Sequence, residues 1–395
     1  MRRQPMSETL SAVDVASRLV SVPSVSRDSN VPATELSRDL LTRLGFEVEW
    51  FEYLDAAGVR KASVVGRRGP AGPATSTSRP GFAYFCHTDT VPAETWHDAV
   101  HGAWSPVVRD GRLYGRGSCD MKGSLACCLA ASALVPVERL AGPQYIVCTA
   151  DEEVGSAGAA QVARESRFFR EMVARQTVGV IGEPTRLEVV HAHKGIYGFR
   201  AVSRGRAAHS AIGKGVNANL AMIPFLAEMK AIHDETEREP RWRNADFEPP
   251  VVSWNIGIND HNPAVNITAE RSVCTVAFRP MPGIDAEELL ERSRVAAERC
   301  GLEFSVTWRG QPLHADPQSE FVREALALTG GNASRTVPYG TDGVMLGELR
   351  NLIVCGPGDI AQAHTRDEYI ELDQLERGTD LYRRMIERWC GPGVG

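Results

Sequence analysis

Short apolar segments that alternate with helical patterns constrain the fold of this chain more than any other feature of its sequence. Residues 82–86, 145–150 and 178–181 are largely apolar and are predicted as buried strands. An apolar stretch over residues 125–135 is predicted as a helix. Because strands that alternate with helices favour a sheet with helices on both of its faces, the sequence predicts a doubly wound α/β domain.

A second pattern begins near residue 190. The predicted order there is strand, helix, strand, strand, helix, strand, over residues 199–202, 217–233, 251–258, 273–278, 285–300 and 304–308. This βαββαβ order is the ferredoxin-like split motif. We therefore predict that residues 1–190 and 311–395 form one domain and that residues 191–310 form a ferredoxin-like domain inserted into it.

Local signals add further elements. Ser7 is predicted to cap a first helix, which Pro23 ends. Residues 67–80 are rich in Gly, Pro, Ser and Thr and are predicted as an exposed loop. The remaining predicted elements are a helix at 33–44, a strand at 46–51, a strand at 352–355 and a helix at 372–389.

Composition excludes several functional classes. A length of 395 residues exceeds what one core usually spans, which agrees with two domains. With 43% hydrophobic and 24% charged residues the chain is typical of globular proteins rather than disordered ones. A net charge of −6 disfavours nucleic acids and anionic membranes as partners and leaves metal cations and small substrates open.

The cysteines and the N-terminus predict a cytoplasmic protein. Nine cysteines, an odd number without any CxxC pair, are typical of free thiols in a reducing compartment and not of a disulfide framework or a cysteine-rich zinc site. Arg2 and Arg3 resemble the start of a signal peptide, but Glu8 and Asp14 interrupt the apolar stretch that would have to follow. No apolar run reaches the length of about 18 residues that a membrane span requires.

Side chains that bind metals follow several of the predicted strands. They are His87 and Asp89, Asp120, the three acids at 151–153, Glu183, and His364. Each signal is weak alone, because Asp120 could simply cap the helix after its Gly-rich turn and three consecutive acids usually form a solvated surface. That turn also resembles a phosphate-binding loop, but its spacing is not that of a P-loop.

Taken together, these residues indicate a metal site. Adjacent carboxylates at the end of a strand repel each other unless a cation lies among them. One carboxylate can then bind the metal while its neighbour, which points elsewhere, holds a proton. Imidazole nitrogens and carboxylate oxygens suit zinc, manganese or cobalt and fit poorly with copper or iron–sulfur chemistry.

In this order, the segments resemble the zinc metallopeptidase family that includes acetylornithine deacetylase, succinyl-diaminopimelate desuccinylase, aminoacylase and glutamate carboxypeptidases. The resemblance runs from residues 19–24, Leu-Val-Ser-Val-Pro-Ser, to the segment around His364 and so covers nearly the whole chain. It implies a hydrolase that acts on N-acyl amino acids with two divalent metal ions, zinc or, as a substitute, cobalt. It also implies a homodimer, formed through the inserted domain, which serves as a lid.

The same resemblance assigns roles to individual residues. Asp120 would bridge the two metals, with His87 and Glu183 in one site and Glu153 and His364 in the other. Asp89 would orient His87, and Glu152 would act as general base and then as general acid. His209 matches the lid histidine that reaches the partner's active site and stabilises the oxyanion there; the alternative is a surface histidine.

Residues for substrate binding are less sharply defined. The segments 192–195, Ala-His-Lys-Gly, and 356–364, Gly-Pro-Gly-Asp-Ile-Ala-Gln-Ala-His, are most similar to the acetylornithine deacetylase branch. By resemblance Asn266 and Arg279 hold the substrate α-carboxylate, although Arg279 could also form an ordinary ion pair. Gly340 and Thr341 match a family loop near the substrate.

The sequence also departs from the family pattern. Cys86 stands where the family has Gly before the histidine, and residues 260–262, Asp-His-Asn, replace a Gly-rich turn. No acid can be assigned to the side-chain amine of ornithine. Three alternatives therefore stay open: a sibling desuccinylase, aminoacylase or dipeptidase, a catalytically inactive binding protein on the same fold, and a phosphate-binding enzyme that uses the Gly-rich turns.

Overall fold

The structure, a computed structural model, describes residues 10–70, 79–97 and 101–392. The chain forms two compact units. The first consists of Met1–Ala192, His314–Arg335 and Thr341–Gly395, and the second of His193–Leu313 and Thr336–Gly340. The sequence of the second unit therefore interrupts that of the first.

Helices and strands alternate through most of the described chain. The helices are α1 (Ala12–Val20), α2 (Val31–Arg43), α3 (Gly123–Leu134), α4 (Ala157–Glu165), α5 (Arg167–Arg175), α6 (Ala218–Arg238), α7 (Ala286–Arg299), α8 (Glu320–Thr329) and α9 (Leu372–Cys390). The strands are β1 (Glu47–Leu54), β2 (Arg60–Arg68), β3 (Phe82–His87), β4 (Val107–Arg109), β5 (Arg112–Tyr114), β6 (Gln144–Thr149), β7 (Val178–Pro184), β8 (Val190–His193), β9 (Ile196–Arg204), β10 (Ser253–Asn259), β11 (Arg271–Arg279), β12 (Glu303–Gly310), β13 (Leu313–His314), β14 (Arg335–Val337), β15 (Leu352–Gly356) and β16 (Tyr369–Glu371).

Nine strands form one sheet in the order β1-β2-β6-β3-β7-β15-β8-β13, with β14 paired to β8. Its centre, β6-β3-β7-β15, is parallel, whereas β1, β2 and β6 pair antiparallel. A smaller sheet has the order β16-β5-β4. Because neighbouring parallel strands end at the same edge, the residues after β3, β6 and β7 are brought together there.

Helices cover both faces of the large sheet. On one face Tyr84 of β3 donates a hydrogen bond of 2.7 Å to Ser124 of α3, and the hydroxyls of Ser124 and Tyr382 of α9 lie 2.9 Å apart. On the other face Arg67 of β2 donates to Glu171 of α5 at 3.0 Å. The main apolar core lies on the first of these faces, among α1, α2, α3, α9 and the strands. This arrangement confirms the predicted doubly wound α/β fold.

The second unit has the element order β9-α6-β10-β11-α7-β12. Its sheet has the order β10-β11-β9-β12, and every neighbouring pair is antiparallel. Both helices pack on this sheet, with Phe225 of α6 and Leu289 of α7 fully buried. The side chains of Asn217 and Asp285 cap the two helices, which overlap the predicted helices at 217–233 and 285–300. The ferredoxin-like prediction is thus confirmed.

Strand β2 was missed by the sequence patterns. Its polar residues Lys61, Arg67 and Arg68 are buried, and each has a distant partner, such as Asp151 for Lys61 at 3.1 Å and Gln144 for Arg68 at 2.8 Å. Because these buried residues are charged, the segment lacks the apolar pattern by which a buried strand is predicted. The predicted loop at 67–80 was therefore wrong for its first two residues, while residues 71–78 of it lie outside the described chain.

The first helix begins at Ala12, later than predicted. Ser11 caps it, since its hydroxyl accepts a hydrogen bond of 3.3 Å from the amide of Asp14. The predicted cap, Ser7, lies outside the described residues. In the described chain no helix is both long and apolar enough to cross a membrane. All nine cysteines are free, and all except Cys300 are buried.

We predict that Gly182→Ala destabilises the first unit. A Cβ at Gly182, in β7, would lie 2.2 Å from Tyr84 Oη and 2.4 Å from Ser124 Oγ. Overpacking of a core typically costs about 1–3 kcal/mol, which urea unfolding followed by circular dichroism will measure. Gly347→Ala is the control, because a Cβ there meets nothing within 4 Å. Equal unfolding midpoints for the two variants would contradict the packing argument.

Candidate metal centre

The predicted metal ligands of the first unit lie at the edge of the sheet where the parallel strands have their carboxyl ends. Strand β3 ends at His87, and Glu183 is the last residue but one of β7. Strand β6 ends at Thr149, shortly before Glu152 and Glu153. His87 and Glu183 are 2% and 6% exposed, so the edge is a buried site and not a solvated surface. Three segments that lie far apart in the sequence therefore meet at one place.

Asp120 lies between the two predicted histidines. Its Oδ1 is 3.0 Å from His87 Nε2, and its Oδ2 is 3.2 Å from His364 Nε2. The Asp120–Met121 peptide bond is cis. Because the two oxygens of one carboxylate face different imidazoles, Asp120 has the placement of a ligand shared between two neighbouring cations.

Each histidine has a further carboxylate beside it. His87 Nε2 is 3.7 Å from Glu183 Oε1, and His364 Nε2 is 3.1 Å from Glu153 Oε2. Among the described residues, two groups of three side chains bring possible ligand atoms within 4.8 Å of one another: His87, Asp120 and Glu153, and His87, Glu152 and Glu183. Imidazole and carboxylate donors in this number fit a divalent ion such as zinc.

The pKa values of the clustered side chains also favour a cation in this centre. Burial raises the pKa of Glu152 and of Glu183 well above the usual carboxyl range. Hydrogen bonds to Asp120 and Glu153 raise the pKa of His364 to about 10. Burial opposes ionisation of Asp120 too, but hydrogen bonds from His364 and His87 outweigh it and lower the pKa of Asp120. Protons thus stabilise the crowded carboxylates where divalent cations could do so.

Asp89 contacts His87 mainly through its backbone. His87 Nδ1 lies 2.9 Å from the carbonyl oxygen of Asp89 and 3.7 Å from its carboxylate. A proton on Nδ1 that is donated to this carbonyl leaves Nε2 free as a ligand, which is the usual support of a metal-binding histidine. The Asp89 carboxylate instead accepts hydrogen bonds from the hydroxyl of Ser26 at 2.7 Å and from the amides of Glu152 and Glu153 at 3.3 and 3.4 Å.

The turn that carries Glu152 and Glu153 is anchored by Asp151. Asp151 has a left-handed backbone (φ 59°), and its carboxylate accepts a hydrogen bond of 2.7 Å from Tyr53 and lies 3.1 Å from Lys61 Nζ. Lys61 is fully buried. Sequence reasoning treated Asp151 only as part of an acidic run, because its partners lie on β1 and β2, about a hundred positions away, and leave no local signal.

Two more buried acids support the centre. Asp342, directly after the predicted Thr341, accepts a hydrogen bond from the hydroxyl of Thr149, and burial raises its pKa to about 6. Thr341 is buried and caps the short turn that follows, accepting a hydrogen bond of 3.0 Å from Gly343. Glu368 accepts hydrogen bonds from the loop before Asp120. The sequence analysis assigned no role to Glu368.

The other predicted residues belong to the second unit. His209 precedes a short turn, accepts a hydrogen bond of 3.2 Å from the amide of Ala211 and is exposed. Asn266 is exposed beside it, and its carbonyl accepts from the amide of Ser210 at 3.0 Å. Arg279 ends β11 and is half-buried, and Gly340 lies in the second segment of this unit.

Comparison with known proteins places this site in a family. The model of the peptidase family M20/M25/M40 matches residues 83–388. An acetylornithine deacetylase from Myxococcus xanthus is 34% identical over 399 residues, which cover 98% of this chain and 100% of that protein. An acetylornithine deacetylase from Proteus mirabilis is 29% identical over 398 residues, 96% of each.

Solved structures share the fold at low sequence identity. An M20 family metallo-carboxypeptidase from Sulfolobus solfataricus has a TM-score of 0.74 at 15% identity, over 96% of this chain and 99% of that one. A dinuclear metal binding peptidase of the M20 family from Bacillus subtilis has a TM-score of 0.60 at 12% identity, over 95% and 98%. The family match over most of the chain, the 34% identical relative and the cluster of metal-binding side chains agree. The chain therefore belongs to the peptidase family M20/M25/M40 and is an amidohydrolase of that family.

Proposed function

We propose that this amidohydrolase removes the acetyl group from N2-acetyl-L-ornithine and yields L-ornithine and acetate, a reaction of arginine biosynthesis. The observation that carries the hydrolytic part is the placement of Asp120 between His87 and His364, 3.0 and 3.2 Å away. The substrate is supported by the two relatives named acetylornithine deacetylase, which align with this chain over nearly their whole length.

Two divalent metal ions, zinc or cobalt in its place, are part of this proposal. Asp120 would be shared, His87 and Glu183 would complete one site, and Glu153 and His364 the other. When bound, the metal pair supplies Lewis-acid polarisation of the amide carbonyl and a lowered pKa for water. The donor types support this assignment, as do the close approaches of His87 to Asp120 and Glu183 and of His364 to Asp120 and Glu153.

Glu152 is the proposed general base. It takes a proton from the attacking water and later donates it to the leaving amine. Its neighbour Glu153 lies 3.1 Å from His364, and both adjacent acids bring an oxygen near His87, Glu152 together with Glu183 and Glu153 together with Asp120. Asp89 holds both amides of the turn and thereby fixes the base relative to His87.

Residues of the second unit are proposed to recognise the substrate. His209 would donate a hydrogen bond to the oxyanion of the tetrahedral intermediate, in the active site of a second copy of the chain. Arg279 and Asn266 would bind the α-carboxylate, since a guanidinium group can donate two parallel hydrogen bonds to it. Gly340 and Thr341 would line the substrate. These assignments rest on the family resemblance.

A homodimer formed through the second unit is also proposed. Strand β10 is an edge strand of its sheet, and Ile258 on it is 60% exposed. Leu220 and Ile223 of the neighbouring helix α6 are 69% and 60% exposed. An unpaired strand edge beside exposed apolar side chains is typical of a surface that another chain covers. The free thiols support a reducing compartment such as the cytoplasm.

We predict that the protein releases amine from N-acetylornithine faster than from N-acetylmethionine, N-succinyl-diaminopimelate or a dipeptide. Activity should disappear after chelation and return with zinc or cobalt, because the centre needs a cation. Chromatographic separation and quantification of each product amino acid compares the substrates under identical conditions. Metal-dependent preference for another member of the panel would keep the chemistry and reject acetylornithine as the substrate.

We predict that Glu152→Gln and Glu153→Gln, adjacent substitutions of equal size and charge change, have different effects. Glu152→Gln should keep the metal content and lower kcat by about 10²–10⁴-fold, because only the base is lost. Glu153→Gln should lower the metal content measured after gel filtration. If Glu152→Gln instead lost metal and kept its turnover per bound metal, Glu152 would be a ligand and not the base.

We predict that Ile223→Asp converts the dimer to a monomer, because it buries a charge in the proposed interface. Light scattering coupled to gel filtration gives the mass of wild type and variant. Val295→Asp is the control, since Val295 is 46% exposed on the other helix of the same unit, α7. A wild-type monomer, or a dimer that persists in the Ile223 variant, would refute this interface.

A further inference from the structure

Glu368 is a buried carboxylate with a full set of hydrogen-bond donors. It is 1% exposed, and its Oε2 accepts from Arg116 Nη1 at 2.7 Å and from the Gly117 amide at 2.9 Å. Its Oε1 accepts from the amides of Cys119 and Asp120 at 2.9 and 3.0 Å. Four donors therefore hold one carboxylate directly behind Asp120, which fixes the backbone of the shared metal ligand.

Arg116 connects this carboxylate to the segment of His364. Its Nη2 donates a hydrogen bond of 2.9 Å to the carbonyl of Thr365, the residue after His364. Arg116 is itself 1% exposed, so the pair is shielded from solvent. The backbone carbonyl of Glu368 also accepts from the Gly115 amide at 3.0 Å. The planar fork of one guanidinium thus joins the loop that carries Asp120 to the loop that carries His364.

We propose that the buried Arg116–Glu368 pair is a positioning element that fixes Asp120 and His364 relative to each other before a cation binds. The inference rests on the metal centre of the proposed function. His364 needs such support, because its side chain is 53% exposed and so is not held in place by burial. Groups that orient metal ligands are expected to raise metal affinity without touching the metal.

Glu368→Gln tests this positioning role with almost no change in the size of the side chain. In Glu368→Gln one carboxylate oxygen becomes an NH₂ group, which can only donate. It would then face either Arg116 and Gly117 or the amides of Cys119 and Asp120, all of which are donors. Asp367→Asn is the matched control, because it makes the same change in charge one residue earlier on an exposed side chain.

The experiment is zinc titration of the metal-free full-length protein against a chromophoric chelator, with circular dichroism of each variant. We expect Glu368→Gln to bind zinc about 10–100-fold more weakly than wild type, as loss of a ligand-orienting partner typically does, and Asp367→Asn to bind as wild type does. Saturating zinc should restore much of the lost kcat with little change in KM, which a general loss of stability would not produce.

Arg116→Lys is the second variant and decides the question if Glu368→Gln does not fold. A lysine keeps the charge beside Glu368 but cannot also reach the carbonyl of Thr365 in the same fork geometry. For Arg116→Lys we expect the affinity of the weaker of two zinc-binding steps to fall more than that of the stronger one. Wild-type zinc affinity in folded variants would overturn the positioning role and leave the proposed function intact, whereas a wild type that binds no zinc would reject the metal centre itself.

Discussion

Repulsion among carboxylates is the constraint on which the rest of this structure depends. Asp89, Asp120, Glu152, Glu153 and Glu183 meet at one edge of a sheet, mostly buried. Carboxylates so close together cannot all ionise in a medium of low polarity unless positive charge lies among them. Although burial opposes it, contacts with Asp120 and Glu183 raise the pKa of His87, and contacts with Asp120 and Glu153 raise the pKa of His364. Divalent cations can supply the same positive charge.

Around the centre, hydrogen-bond donors stabilise the negative charge of further buried carboxylates. Asp89 is held by Ser26 and two amides, Asp151 by Tyr53 and Lys61, and Glu368 by Arg116 and three amides. None of these donors is placed as a ligand. They stabilise negative charge one layer away from the metal site, so that the inner carboxylates keep fixed positions. Lys61 and Arg116 are the buried cations of this layer, each beside one of its carboxylates.

The parts of the fold and site that could be read from the sequence are those with local signals. His87 and Glu183 follow predicted apolar strands directly, and α6 and α7 overlap the predicted helices at 217–233 and 285–300, so short patterns sufficed. Lys61 and Glu368 were different, because their partners lie far away in the sequence and the pattern of β2 appears polar. The atoms that contact His87 were also unforeseen, since no pattern distinguishes the carbonyl of Asp89 from its carboxylate. Substrate-binding residues on the second unit could be named only by resemblance.

The interruption of the first unit by the second has a consequence for how the chain folds. Strand β15 pairs in parallel with β7, but about 170 residues separate them, and the whole second unit lies in between. All four strands of the second unit's sheet lie within residues 196–310, so they are synthesised before β15. Contacts this distant in sequence form slowly, because the loop must close before they contribute. The candidate metal centre, in which His364 follows β15, is therefore expected to be among the last parts of the molecule to assemble.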